Sequence, residues 1–232
     1  MTLMSLDYVV LAFQLIAFLF AISVHESAHA WMANRCGDPT ARMLGRVTLN
    51  PIKHIDLFGT IIFPVICMLI HFPVFGWAKP TPVDTRNFRD PVRDDILTAI
   101  VGPISNFLVA ACATILLLFI KLTSSPGREV VFDLLRNNIS AESSSILVPI
   151  CLLLYQFLII NVVLAVFNLI PIPPLDGSHV IRHMLPENAL RVYDMVGWIG
   201  LLALVYLGGG ILTRLLSPVL FVFRYILVNA KI

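Results

Sequence analysis

Charge is what this sequence has least of: Asp, Glu, Lys and Arg supply only 13% of its 232 residues, against about 25% in an ordinary soluble domain. With 58% hydrophobic residues and a mean hydropathy of +0.89, the composition excludes a water-soluble fold and requires a bilayer. No polar stretch is long enough for a separate soluble module, and no internal repeat or low-complexity segment is present. The start of the chain lacks a basic region and a small-residue cleavage site, and its only early charge is Asp7, so a retained span is expected there. Cys36, Cys67, Cys112 and Cys151 form no CxxC pair and read as packing residues. A net charge of +2 is too small to argue for nucleic acid.

What remains is apolar sequence in span-sized pieces. Residues 8–34, 96–121, 146–170 and 192–211 each approach the roughly 20 apolar residues that cross a hydrocarbon core. Two segments are ambiguous: 57–75 is interrupted by Pro64 and ended by Pro73, and 215–228 is short and carries Arg224. The expected fold is therefore an all-α polytopic membrane protein, one domain over residues 1–232. It has about four full spans, and the C-terminal helix is open as a further one.

Half of the 16 Lys and Arg residues lie in the loops around Arg35, Arg42, Arg46 and Lys53 and around Lys79, Arg86, Arg89 and Arg93, which marks a cytoplasmic face. The loop from Lys121 to Ser145 balances three basic against three acidic residues and suits the opposite side, with the N-terminus outside. Both basic loops stay cytoplasmic only if 57–75 turns back without crossing, so a re-entrant segment is expected there, packed near a polar site. The sequon Asn138-Ile139-Ser140 would matter only in a glycosylating compartment.

Inside the first span stands His25-Glu26-Ser27-Ala28-His29, an HExxH sequence. On a helix, residues i and i+4 lie one above the other, so His25 and His29 can offer two imidazoles to one zinc ion, with Glu26 placed to handle protons on a metal-bound water. Ionisable groups at mid-helix in a membrane cost about 2.5–3.5 kcal/mol on insertion scales, which an unpaired cluster would not recover. The histidines sit roughly 26 Å of helix rise from Tyr8, toward the cytoplasmic end. Catalytic zinc takes three protein ligands and leaves one position to water. Asp176 is the strongest candidate for the third, in a stretch where Pro171, Pro173 and Pro174 break the helix.

HExxH in an apolar helix followed by NLIPIPPLDG, residues 168–177, resembles the site-2 proteases, intramembrane zinc metalloproteases. Gly102-Pro103-Ile104-Ser105-Asn106 is similar to the GPxxN element of that family. The resemblance covers about residues 8–185 and implies a three-helix catalytic core with peripheral helices. It implies one zinc held by His25, His29 and Asp176, Glu26 as general base, and Asn168 helping to bind the substrate carbonyl. The substrates implied are transmembrane proteins or peptides, cut in or near their membrane segments. The absence of a PDZ domain is similar to the compact, mostly prokaryotic branch, which implies a bacterial or archaeal cell membrane.

Weaker signals are the remaining histidines and one loop. His179, three residues past Asp176, is a candidate for orienting that carboxylate, while His54, His71 and His183 read as interfacial or loop residues. Residues 41–49 could pair as short strands turning near Gly45 and hold substrate by strand addition, or form a basic loop on lipid headgroups. Two other functions compete: a metal-ion transporter, which should carry polar ligands through the full bilayer depth, and a non-catalytic scaffold binding membrane segments. The oligomeric state is not legible.

Overall fold

The computed structural model describes residues 3–69, 76–136 and 146–230, so His71, the sequon and the end of segment 57–75 lie outside the described residues. The protein is helical, with no strand among the described residues. Among the described residues, five helices are long and apolar enough to cross a membrane: α1 (Leu3–Cys36), α4 (Pro91–Thr123), α6 (Leu147–Asn168), α8 (Glu187–Leu207) and α9 (Gly209–Asn229). Exposed side chains such as Phe119, Trp198 and Leu207 face a solvent that must be lipid. This is an integral membrane protein.

The chain groups into two compact units. The first comprises Met1–Ala21, Asn106–Leu164 and Leu215–Ile232, and includes the short helix α5 (Ser125–Leu135). Ser124 caps α5 by accepting from the Gly127 amide at 2.9 Å, meeting one of the donors a helix start leaves open. At the far end of α9, the Lys121 ammonium donates to the carbonyls of Leu227, Val228 and Ala230 at 2.5, 3.0 and 3.0 Å. A buried cation and the unpaired carbonyls of a helix C-terminus thereby satisfy one another. Arg224, the charge that made the C-terminal segment ambiguous, donates to the Leu135 carbonyl at 3.0 Å.

The second unit comprises Ile22–Ser105 and Ala165–Arg214. Helix α1 has no glycine or proline from Leu3 to Cys36 and stops where Gly37 takes φ 116°, a left-handed conformation only glycine adopts freely. Residues Leu57–Ile62 form a π-helical turn running into α3 (Phe63–Leu69). Gly59 is required there because a Cβ would fall 2.3 Å from the Trp77 indole. Helix α8 runs along the stretch before Asp176. The Tyr193 hydroxyl donates to the Pro171 carbonyl at 2.9 Å, Gly197 meets Pro173, and Leu201 and Leu204 pack with Ile170 and Leu175.

Several features differ from the sequence expectation: α4 begins at Pro91 and α8 at Glu187, each five residues before the expected start. The strand pair at 41–49 does not form. Thr40–Met43 is a helical turn, α2, started by Asp38 accepting from the Thr40 amide at 3.1 Å, and the chain does turn at Gly45, φ 68°. The cause is Arg46: its guanidinium is buried and donates to the carbonyls of Lys53, Lys79 and Pro80, so the segment is held by one side chain in place of a backbone ladder. The 192–211 span ends at Leu207, because Gly208 interrupts it. The C-terminal helix is correspondingly longer than 215–228, reaching back to Gly209.

Candidate metal centre

Two segments far apart in sequence meet on one short stretch of the second unit. His25 and His29 lie one turn apart on α1, rings 4.6 Å apart and nearly perpendicular. Their Nε2 atoms lie 3.1 Å from Asp176 Oδ2 and 3.5 Å from Asp176 Oδ1. All three donor atoms fall within 4.8 Å of one another. Among the described residues this is the one group of His, Cys, Asp or Glu close enough to share a metal ion.

The surroundings explain why the rings stand as they do. His29 Nδ1–H donates to the Thr98 carbonyl of α4 at 2.6 Å, which leaves the Nε2 lone pair facing Asp176, the tautomer a metal ligand needs. Gly102, one turn beyond Thr98, allows α4 to close on the site: a Cβ there would stand 2.5 Å from His29 Nε2 and 2.7 Å from His25 Cε1. Two imidazole nitrogens and a carboxylate oxygen, with one ring anchored from behind, form a donor set suited to catalytic zinc.

Asp176 is delivered by irregular backbone. Past α6 the chain carries the cis bond Pro173-Pro174 and tight turns in which Ile172 N donates to Ile170 O at 2.8 Å and Leu175 N to Ile172 O at 2.9 Å. Gly177 follows because a Cβ there would lie 2.3 Å from the Leu169 carbonyl. Asp176 precedes the short helix α7 (Gly177–Arg182) without capping it, so its carboxylate is free to meet the histidines.

The other anticipated residues are placed as follows. Glu26 is half-buried beside His25, and its Oε2 accepts from Thr81. Asn168 is half-buried as the last residue of α6. His179 pairs not with Asp176 but with Asp95 Oδ2, at 2.9 Å, and His183 reaches the same oxygen at 2.7 Å. His54, read as an interfacial residue, is fully buried, its Nε2 2.8 Å from the Thr48 carbonyl. Thr81, Asp95, Thr98 and Arg46 were not anticipated. Only Asp95 and Arg46, charges beside apolar runs, carried any local signal.

The family model described as Peptidase family M50 matches residues 13–207, the interval that holds every element of this centre. The chain belongs to peptidase family M50. The likeness to site-2 proteases therefore holds, and the chain is a metalloprotease by family. A Bacillus subtilis protein named as a zinc metalloprotease, YwhC, is 39% identical over 177 residues, 75% of this chain and 69% of its own length. A Mycolicibacterium smegmatis protein named as a zinc metalloprotease, Rip2, is 27% identical over 211 residues, 89% of this chain and 71% of its own. No solved structure matches.

Proposed function

We propose that this M50 peptidase is a single-domain intramembrane zinc metalloprotease that hydrolyses peptide bonds in or near transmembrane segments of other membrane proteins. The observation that carries this reading is the convergence of His25, His29 and Asp176 donor atoms within 4.8 Å on a helix that also presents Glu26. These three residues would hold one zinc per chain, and the bound ion would supply Lewis-acid polarisation of the scissile carbonyl and a water that is nucleophilic near neutral pH. Glu26 accepts the proton of that water and delivers it to the leaving amine nitrogen. Asn168 assists the substrate carbonyl. Because a helical substrate hides its peptide bonds, it must unwind locally before it is cut.

Glu26→Gln in purified protein tests the assignment. Zinc retained with cleavage of a transmembrane reporter lost is the expected result; undiminished cleavage would refute it.

The topology consistent with this site places the N-terminus outside a prokaryotic cell membrane and the metal toward the cytoplasm, with 57–75 re-entrant. Lys121, at the end of α4, touches Leu227 to Ala230, at the end of α9, so an even number of crossings separates them. Helix α6 makes one. The span read at 192–211, now α8, is the second of these crossings, and both α8 and α9 are long and apolar enough for it. Cysteine placed at Gly209 should then react with a membrane-impermeant reagent from outside; labelling from the cytoplasmic side would make α9 the crossing helix.

A further inference from the structure

Glu26 has an attachment that the proposed chemistry does not by itself require. The Thr81 amide donates to Glu26 Oε2 at 2.9 Å, and the Thr81 hydroxyl lies 2.7 Å from the same oxygen and 3.0 Å from the Glu26 carbonyl. Both donors address one carboxylate oxygen, and Oε1 is left for the water that Glu26 must deprotonate. A glutamate with three free torsions otherwise samples many rotamers. Two donors on one oxygen fix its carboxylate plane.

The segment carrying Thr81 is itself secured on both sides. Upstream, Trp77 N donates to Gly59 O at 3.1 Å and Lys79 N to His54 O at 2.8 Å, the Thr60 hydroxyl donates to Trp77 O at 2.7 Å, and the buried Arg46 guanidinium holds the carbonyls of Lys79 and Pro80 at 2.5 and 2.7 Å. Downstream, the buried Asp38 carboxylate accepts from the Asp84 amide at 2.8 Å and from Asn87 Nδ2 at 2.9 Å. Pro80 and Pro82 flank Thr81; each presets its own φ and biases the preceding residue toward extended backbone. The strap thus arrives at Glu26 with little freedom left to lose.

We infer that Thr81 is a positioning residue for the general base, holding Glu26 through one oxygen so that the other faces the reacting water. The inference rests on the protease reading above. It also gives Arg46, His54 and the 57–62 π-turn a shared purpose, since each fastens the strap that presents Thr81.

The test uses full-length protein in detergent or liposomes with a transmembrane reporter. Thr81→Val, which removes the hydroxyl and keeps the amide, should bind zinc as wild type does and leave KM near its original value, while kcat falls about tenfold to a hundredfold, the range for a lost hydrogen bond to a charged group. Thr81→Ser should recover most of the loss. A Thr81→Val enzyme with wild-type kcat, or a serine variant as slow as valine, would overturn the inference.

A second readout needs no activity. Thr81 contributes the only exchangeable amide between Lys79 and Val83, because both intervening neighbours are proline. In metal-free protein, Glu26→Ala should speed hydrogen exchange at that amide by about tenfold or more, and unchanged exchange would show that the contact does not exist. If wild-type protein fails to cleave, or Glu26→Gln still cleaves, the protease reading falls and the positioning role falls with it, whatever the exchange rate. If those controls behave and only the Thr81 variants do not, the positioning role alone is lost.

Discussion

Among the described residues two His-His-Asp groups form, and their difference shows what makes one a metal site. His25 and His29 are separated by four residues on α1 and meet Asp176; His179 and His183 are separated by four residues at α7 and meet Asp95. In the first group the side chains are 8%, 10% and 18% exposed and the histidines address different carboxylate oxygens. In the second, both histidines point at the same Asp95 oxygen and are 38% and 26% exposed. The first set converges on a point that an ion could occupy. The second is consumed by its own hydrogen bonds, and its consequence is mechanical: it ties α7, which begins directly after Asp176, to the start of α4.

That contrast can be broken by substitution. His29→Ala or Asp176→Ala should abolish zinc binding and reduce cleavage to background, because each removes one of three ligands; metal analysis of the purified variants gives the answer. Gly102→Ala should come next. Its methyl would stand 2.5 Å from His29 Nε2, forcing a ligating ring or α4 itself to move, and zinc affinity should drop about a hundredfold, at the upper end for residues that orient metal ligands. Asp95→Asn should have the smallest effect of the three. It weakens the brace on α7 without touching a ligand, so zinc should still bind, with affinity lowered about tenfold, as measured by chelator competition. An Asp95 variant as metal-free as the Asp176 variant would erase the distinction between the two groups.

The metal-binding candidates were legible because their chemistry is local. HExxH encodes an i, i+4 geometry in five residues, and the prolines before Asp176 announce a broken helix that must place its carboxylate by irregular backbone. Thr81 and Asp95 were not legible for the opposite reason. Their partners lie 55 and more than 80 positions away, and neither stretch has a periodicity that points across such a gap. The strand pair weighed against a basic loop at 41–49 does not form, and nothing in the local sequence announces a single arginine turned inward; Arg46 ties this turn to the carbonyls of Lys53, Lys79 and Pro80. The α8 boundary was misplaced by carrying an apolar run through Gly208, Gly209 and Gly210, where the helix in fact restarts. Existence and type of the long helices followed from hydropathy, whereas their ends depended on particular glycines.

The central claim is that His25, His29 and Asp176 form one zinc centre. Zinc-edge X-ray absorption on purified protein, combined with metal content per chain, addresses it most directly. The account predicts one zinc per chain in an environment of oxygen and nitrogen with two imidazoles, lost on His29→Ala and kept on Asp95→Asn. Thiolate coordination, or a full zinc complement in the His29 variant, would contradict it.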